Sequence, residues 1–229
     1  MSGHALLDNI FWVALTGPQA RFAVGDGAAR RFARGFPAML GFADPAHPDF
    51  AAIAPHCAPD EHFYTDGWAG AAPAGWQVDL ESTMFKMAWD GRPAPEDRAP
   101  DARPLGPEHA PQAVALAVLT NPGPFGPRNF ELGDYFGLFE GDRLVAMAGE
   151  RLAAGSMREI SGVCTHPEFQ GRGHARRLVD KLVRRQLARG ETPFLHVMST
   201  NLAGHGLYQR MGFADYRESV VRVVSKAPP

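Results

Sequence analysis

The stretch Thr165–Val183, "THPEFQGRGHARRLVDKLV", sets the tightest limit on the fold. Two glycines flank one arginine in Gly171-Arg172-Gly173, and an amphipathic repeat starts at once. Ala175, Leu178, Val179, Leu182, Val183 and Leu187 fall at helical spacing, which predicts a helix with one buried stripe. Arg176, Arg177, Lys181, Arg184, Arg185 and Arg189 fall on the other faces and are expected to meet water, with Gly190 ending the helix. The glycines let the backbone bend and approach a ligand closely. The helix start behind them offers free N–H groups and the positive end of a dipole, the physical make-up of a phosphate or pyrophosphate site. The bland alternative is a glycine turn that holds nothing, because short glycine motifs match often by chance.

Two familiar phosphate loops are excluded by spacing. A P-loop needs Gly-Lys-Ser/Thr, and here Gly173 is followed by His174 and Ala175. A dinucleotide fingerprint needs Gly or Ala where this chain has Arg176. The surrounding pattern predicts an α/β (α+β) fold: a mixed sheet with helices packed on it. Pro107–Thr120 reads as a helix with a stripe of Ala110, Ala113, Val114, Ala117 and Val118. Tyr135–Ala153 reads as two strands joined through Gly141-Asp142, and "REISGVCTH" as a third. "PFLHVM" is a buried-type strand, Asn201 caps a helix that Gly212 stops, and "YRESVVRVV" is the last strand.

Prolines at 93, 95, 100, 104 and 107 mark Asp90–Pro107 as an exposed linker, which divides the chain into regions 1–100 and 105–229. The first region reads as additional α+β structure. It has two strands about Asp26-Gly27, a strand in "FPAMLGFA", a short helix entered through Asp49, and a strand in "GWQVDLESTMFKMAWDG". The net charge of −2 offers no basic face for nucleic acid. Two cysteines, Cys57 and Cys164, do not make a secreted disulfide framework, and no leader or membrane span is legible, so a cytoplasmic place is expected. The oligomeric state is not legible, and a homodimer stays open.

Two blocks carry a family resemblance. Gln170, Gly173 and Ala175 fill the Gln/Arg-x-x-Gly-x-Gly/Ala signature of the GNAT N-acetyltransferases. Asn201, Leu207, Tyr208, Gly212 and Phe213 fit a second block, Asn-x-x-Ala-x-x-Leu-Tyr-x-x-x-Gly-Phe, with Gly204 standing where the family has Ala. A Gly in a helix costs about 1 kcal/mol relative to Ala, so a loose first turn is expected there. The resemblance implies a mostly antiparallel GNAT sheet with acetyl-CoA as acyl donor and no metal. It puts the pantetheine arm on the backbone of Val163, Cys164 and Thr165, the pyrophosphate on Gln170, Gly171, Arg172, Gly173, His174 and Ala175, and further contacts at Asn201 and Tyr208.

Acyl transfer to an amine must remove a proton from an ammonium and supply one to the departing thiolate. No enzyme nucleophile is needed, so Cys164 reads as a small buried hydrophobe. Glu159 is the candidate base: it lies 170 − 159 = 11 residues before Gln170, the spacing of the catalytic glutamate in the histone-acetylating branch. The alternatives are an exposed carboxylate paired with Arg151 or Arg158, or Glu150 as the base. Tyr208 is the candidate acid, against a plain half-buried aromatic. His166, His174, His196 and His205 lack metal-ligand spacing and read as structural. Phe125, Phe130, Asp134 and Tyr135 are candidates to line the acceptor site, against a rigid proline-rich connector. The implied activity is transfer to a small-molecule or peptide amine. The competing class is a non-catalytic acyl-CoA-binding module.

Overall fold

The strand of Trp76–Trp89 does not stay with the first half of the chain. In the computed structural model, which describes residues 3–228, it runs through the middle of one eight-stranded sheet. In chain order the strands are β1 (Ala23–Val24), β2 (Ala29–Phe32), β3 (Leu40–Phe42), β4 (Phe63–Asp66), β5 (Trp76–Trp89), β6 (Arg103–Pro104), β7 (Tyr135–Glu140), β8 (Arg143–Ala154), β9 (Met157–Thr165), β10 (Thr192–Met198) and β11 (Phe213–Lys226). The helices are α1 (Ile10–Thr16), α2 (Phe50–Ile53), α3 (Ala110–Thr120), α4 (His174–Ala188) and α5 (Leu202–Met211). The large sheet has the order β4-β11-β5-β10-β9-β8-β7-β6, and β1-β2-β3 form a second, small sheet. All neighbours are antiparallel except β9 and β10. This is the mixed α/β architecture that the element pattern implied, with the mostly antiparallel sheet that the family resemblance implied.

The two expected regions therefore share one sheet. β5 lies between β10 and β11, and pairs with β11 from Trp76–Lys226 to Trp89–Phe213. The stretch between β5 and α3 is not a free linker either. Lys181 Nζ donates to Asp97 (2.7 Å) and to the Ala99 carbonyl (3.1 Å), Arg177 Nε donates to the Arg98 carbonyl (2.7 Å), and Ala99 is fully buried. The proline-rich run finds its partners on the basic side of α4. That side is thus less watery than its spacing predicts: Arg177 also pairs with Asp101, and Arg185 and Arg189 both hold Asp134.

The apolar stripe of α4 is as expected, with Leu178, Val179, Leu182 and Val183 fully buried on one sheet face. The stripe of α3 is turned from its expected position. Ala113, Leu116 and Ala117 go under, against Tyr135, Met147 and Cys164, while Val118 is 79% exposed. On the face opposite α4, α1 packs Phe11, Ala14 and Leu15 against Met84, Met157, Phe194 and Val221. Its seven residues carry no side-chain cap, which is why the sequence does not announce it. Cys57 and Cys164 are buried in separate clusters and are unpaired. Among the described residues no helix is long and apolar enough to cross a membrane.

Candidate active site

Gly171 and Gly173 sit at φ +76° and +77°, where a side chain strains the backbone. A Cβ on either would meet nothing within 4 Å, so conformation and not crowding demands glycine. Gly173 is the N-cap of α4. Among the described residues, the N–H groups of Gly171, Arg172 and Gly173 donate to no backbone carbonyl. Gln170 braces the loop from below, its Nε2 donating to the Thr165 carbonyl at 3.3 Å. Arg172 lies over the Phe169 ring (4.8 Å), and His174 keeps a buried Nδ1 without a partner. Unspent donors at a helix start suit the oxygens of a pyrophosphate.

Beside the loop the sheet opens. β9 and β10 pair only from Met157–Thr192 to Glu159–Phe194 and then part. A cavity of about 240 Å³ occupies the gap, lined by Ser161, Gly162 and Val163 on one side and His196, Val197 and Met198 on the other. Two register breaks between β8 and β9 shape it. At the first, Gly162 takes φ +62°, and its Cβ position lies 3.4 Å from the Tyr135 ring. Val163 lines the cavity, while Cys164 and Thr165 return to the ladder opposite Met147 and Ala146. The Cys164 side chain points to the core under α3, and burial pushes its thiol up to about 11. The second break brings Arg151 beside Glu159, in keeping with the habit of bulges to re-aim side chains near functional sites.

Glu159 is not the free base that its spacing implies. It is fully buried and takes Arg151 in a fork (2.9 and 2.6 Å), the Leu152 N–H (3.1 Å) and His196 Nδ1 (2.7 Å). Burial alone would raise its carboxyl, but Arg151 and then His196 outweigh that and hold it down to about 2. Such a carboxylate is a poor proton acceptor and a good positioner. Glu150, the other candidate, is tied to the Asp134 N–H, Gln186 and Arg189, and does not line the cavity. His196 is the residue that sequence reasoning passed over. Its side chain is 7% exposed and lines the cavity. Because an ionised Glu159 can only accept, Nδ1 carries a proton and donates to it, and in the neutral ring Nε2 is the nitrogen with the lone pair. That Nε2 is buried and has no hydrogen-bond partner. A buried group left unpaired costs about 1–3 kcal/mol, so it calls for a reason. The one signal in the sequence was the i, i+2 phase of β10, which puts His196 on the same face as Phe194 and opposite Leu195.

Tyr208 lines the cavity from α5 and packs against the α4-side core, and burial pushes its hydroxyl up to about 12. It therefore keeps its proton at neutral pH. Asn201 also lines the cavity, but its Oδ1 accepts from the Gly204 N–H at 2.9 Å, so it caps its own helix. The cap secures the first turn that Gly204 was expected to loosen.

A solved structure from Novosphingobium aromaticivorans, a protein assigned to the GNAT family of acetyltransferases, is 31% identical to this chain. The match covers 97% of this chain and 99% of that one, with a TM-score of 0.86. The chain belongs to the GNAT family. The family model described as FR47-like protein matches residues 135–223, from the start of β7 into β11. A GCN5-related N-acetyltransferase from Kribbella flavida shares the fold at 15% identity (94% of each chain, TM-score 0.60). A GCN5-related N-acetyltransferase-like protein from Streptococcus suis does so at 14% (95% of this chain, 92% of that one, TM-score 0.61). No curated protein matches the chain in sequence.

The rest of this GNAT cavity is built outside residues 135–223. Phe11, Met39, Tyr64, Leu80 and Met84 line it from the first ninety residues, and Met39 and Tyr64 are joined by a bridge. Asn121–Pro124 close it from the loop after α3. The residues expected to line it from that loop do otherwise. Phe125, Phe130 and Tyr135 pack edge-to-face on one another, Asn129 donates to the Tyr135 hydroxyl (3.0 Å), and Asp134 holds two arginines of α4. They form the rigid support under the loop, and the cavity wall begins just before them.

Proposed function

We propose that this GNAT protein transfers an acetyl group from acetyl-CoA to a primary amine by direct attack in a ternary complex. The observation that carries the reading is His196: an imidazole on the cavity wall, oriented by Glu159 at 2.7 Å, with its buried Nε2 unpartnered. Members of this family use acetyl-CoA, which supplies an activated acyl thioester. The unspent N–H groups of Gly171–Gly173 suit its pyrophosphate, and the split between β9 and β10 suits its arm.

His196 Nε2 takes the proton of the incoming ammonium, and Glu159 stabilises the imidazolium that results. The amine nitrogen bonds to the acetyl carbon, and the carbon–sulfur bond breaks. Tyr208, still protonated, gives its proton to the sulfur, and the second proton that the nitrogen sheds as the amide forms restores the Tyr208 hydroxyl. Glu159 acts through His196 and is a positioning residue, which replaces its expected role as base.

The test is thiol release from acetyl-CoA over a panel of amines. A general base contributes about 10²–10⁴-fold, so His196→Gln lowers kcat by that order while CoA still binds. Unchanged turnover in His196→Gln removes the base assignment. CoA binding with no amine-dependent thiol release at all returns the chain to the class of non-catalytic acyl-CoA-binding modules.

A further inference from the structure

Resting on the transferase reading, we infer that the acceptor is a monoamine carried on an apolar, ring-sized body, and not a polyamine or a lysine within a cationic peptide. The cavity lining carries the inference. Beyond the split strands, Phe11, Met39, Tyr64, Leu80, Met84 and Val221 give the wall an apolar side, and the Asn121–Pro124 loop, Arg151, Asn201 and Tyr208 complete it. Two aromatic rings and two thioethers make a soft apolar surface that adapts to flat groups. Among the described residues no carboxylate lines the cavity. The acid tied to its wall by bonding is Glu159, and both of its oxygens are spent on Arg151, Leu152 N–H and His196. Among the described residues the only permanently charged side chain on the wall is a cation, Arg151.

A second ammonium entering this space would be stripped of water beside a guanidinium, with no anion to receive it. That is the costliest arrangement electrostatics offers. The volume points the same way. The cavity's 240 Å³ is shared with the end of the donor arm in the strand split, so it admits a body no larger than one ring, on the scale of the roughly 150 Å³ of a dry cavity that takes benzene. The rim is apolar too: Leu80 is 48% exposed, and Leu202, next to the lining residue Asn201, is 75% exposed.

Two amines of similar length decide the matter, 2-phenylethylamine and 1,5-diaminopentane. Each is measured on the full chain with CoA bound, by calorimetry for affinity and by thiol release from acetyl-CoA for turnover. The expected result is binding of 2-phenylethylamine at least about tenfold tighter, with kcat/KM following. Equal or tighter binding of the diamine, or binding of neither, overturns the inference. Tighter binding of 2-phenylethylamine without thiol release upholds the acceptor class and removes the transferase reading instead. Leu80→Glu, at a half-exposed site that tolerates charge, places an anion at the rim and shifts the preference toward the diamine by about tenfold. An unmoved ratio in a folded Leu80→Glu protein counts against this wall as the acceptor site.

Discussion

The two walls of the cavity are built on opposite principles. The side we assign to the donor comes from consecutive residues, the Gln170–Ala175 loop beside the cavity and the Asn201–Phe213 stretch that lines it through Asn201 and Tyr208, and it offers backbone N–H groups and helix starts. The side we assign to the acceptor takes single side chains from scattered places, Phe11, Met39, Tyr64, Leu80, Met84 and Val221. Work done by the backbone writes itself into glycine spacing, because few sequences permit the conformation. Work done by apolar side chains looks like any other stretch of core.

The comparison is sharpened first at Arg151, where the walls meet. Arg151→Met leaves Glu159 buried with only the Leu152 N–H and His196 to hold its charge, and loss of one partner of such a pair costs about 3–5 kcal/mol. Urea unfolding of the variant measures this, and a change below about 1 kcal/mol would reduce the pair to ornament. Acid reads the same pair. The Glu159 carboxyl is held down to about 2 from an ordinary 4.5, so the unfolded chain binds its proton more tightly than the folded one. Its contribution is whole above pH 4.5 and is lost as pH falls through 2. Urea midpoints taken down that window fall in the natural protein, and fall less in Glu159→Gln.

Smaller effects separate the donor wall. Gly173→Val forces a branched side chain to φ +77°, a strain of about 1–2 kcal/mol, which weakens CoA binding by about tenfold while the fold persists. If CoA affinity is unchanged, the loop is only a turn. Asn201→Ala removes one helix cap, about 1 kcal/mol, and lowers the melting temperature by a few degrees with little change in CoA affinity. A large loss of CoA affinity would instead give Asn201 a direct donor contact.

Legibility in the sequence follows the same division. The order of β7 to β11, the stripe of α4, the cap at Asn201 and the loop were all readable, because each is local and periodic. The small strands about Asp26-Gly27 and the helix capped by Asp49 were readable for the same reason. Four things were not. α1 is too short to show a period. The linker hid its attachment because its partners on α4 lie some eighty residues away. Glu159 was legible as a site candidate and Arg151 as a partner for it, but its full burial and its bond to His196 were not, since the register break beside it leaves no mark in composition. His196 was dismissed for lacking a metal-ligand neighbour, when its partner stands 37 positions earlier on a parallel strand.

The position of β5 has a consequence for how the chain is made. Its fourteen residues lie between β10 and β11, so both of its neighbours are synthesised more than a hundred residues later. A nascent chain leaves the ribosome with a long, half-apolar strand, one edge of which waits for Thr192–Met198 and the other for Phe213–Lys226. Domains that fold from the N-terminus during synthesis can close in sequence; this sheet closes only when the last strand arrives. Truncation near residue 200 therefore removes more than a helix and a strand. It leaves β5 exposed along one edge, and aggregation rather than a smaller folded protein is the expected fate.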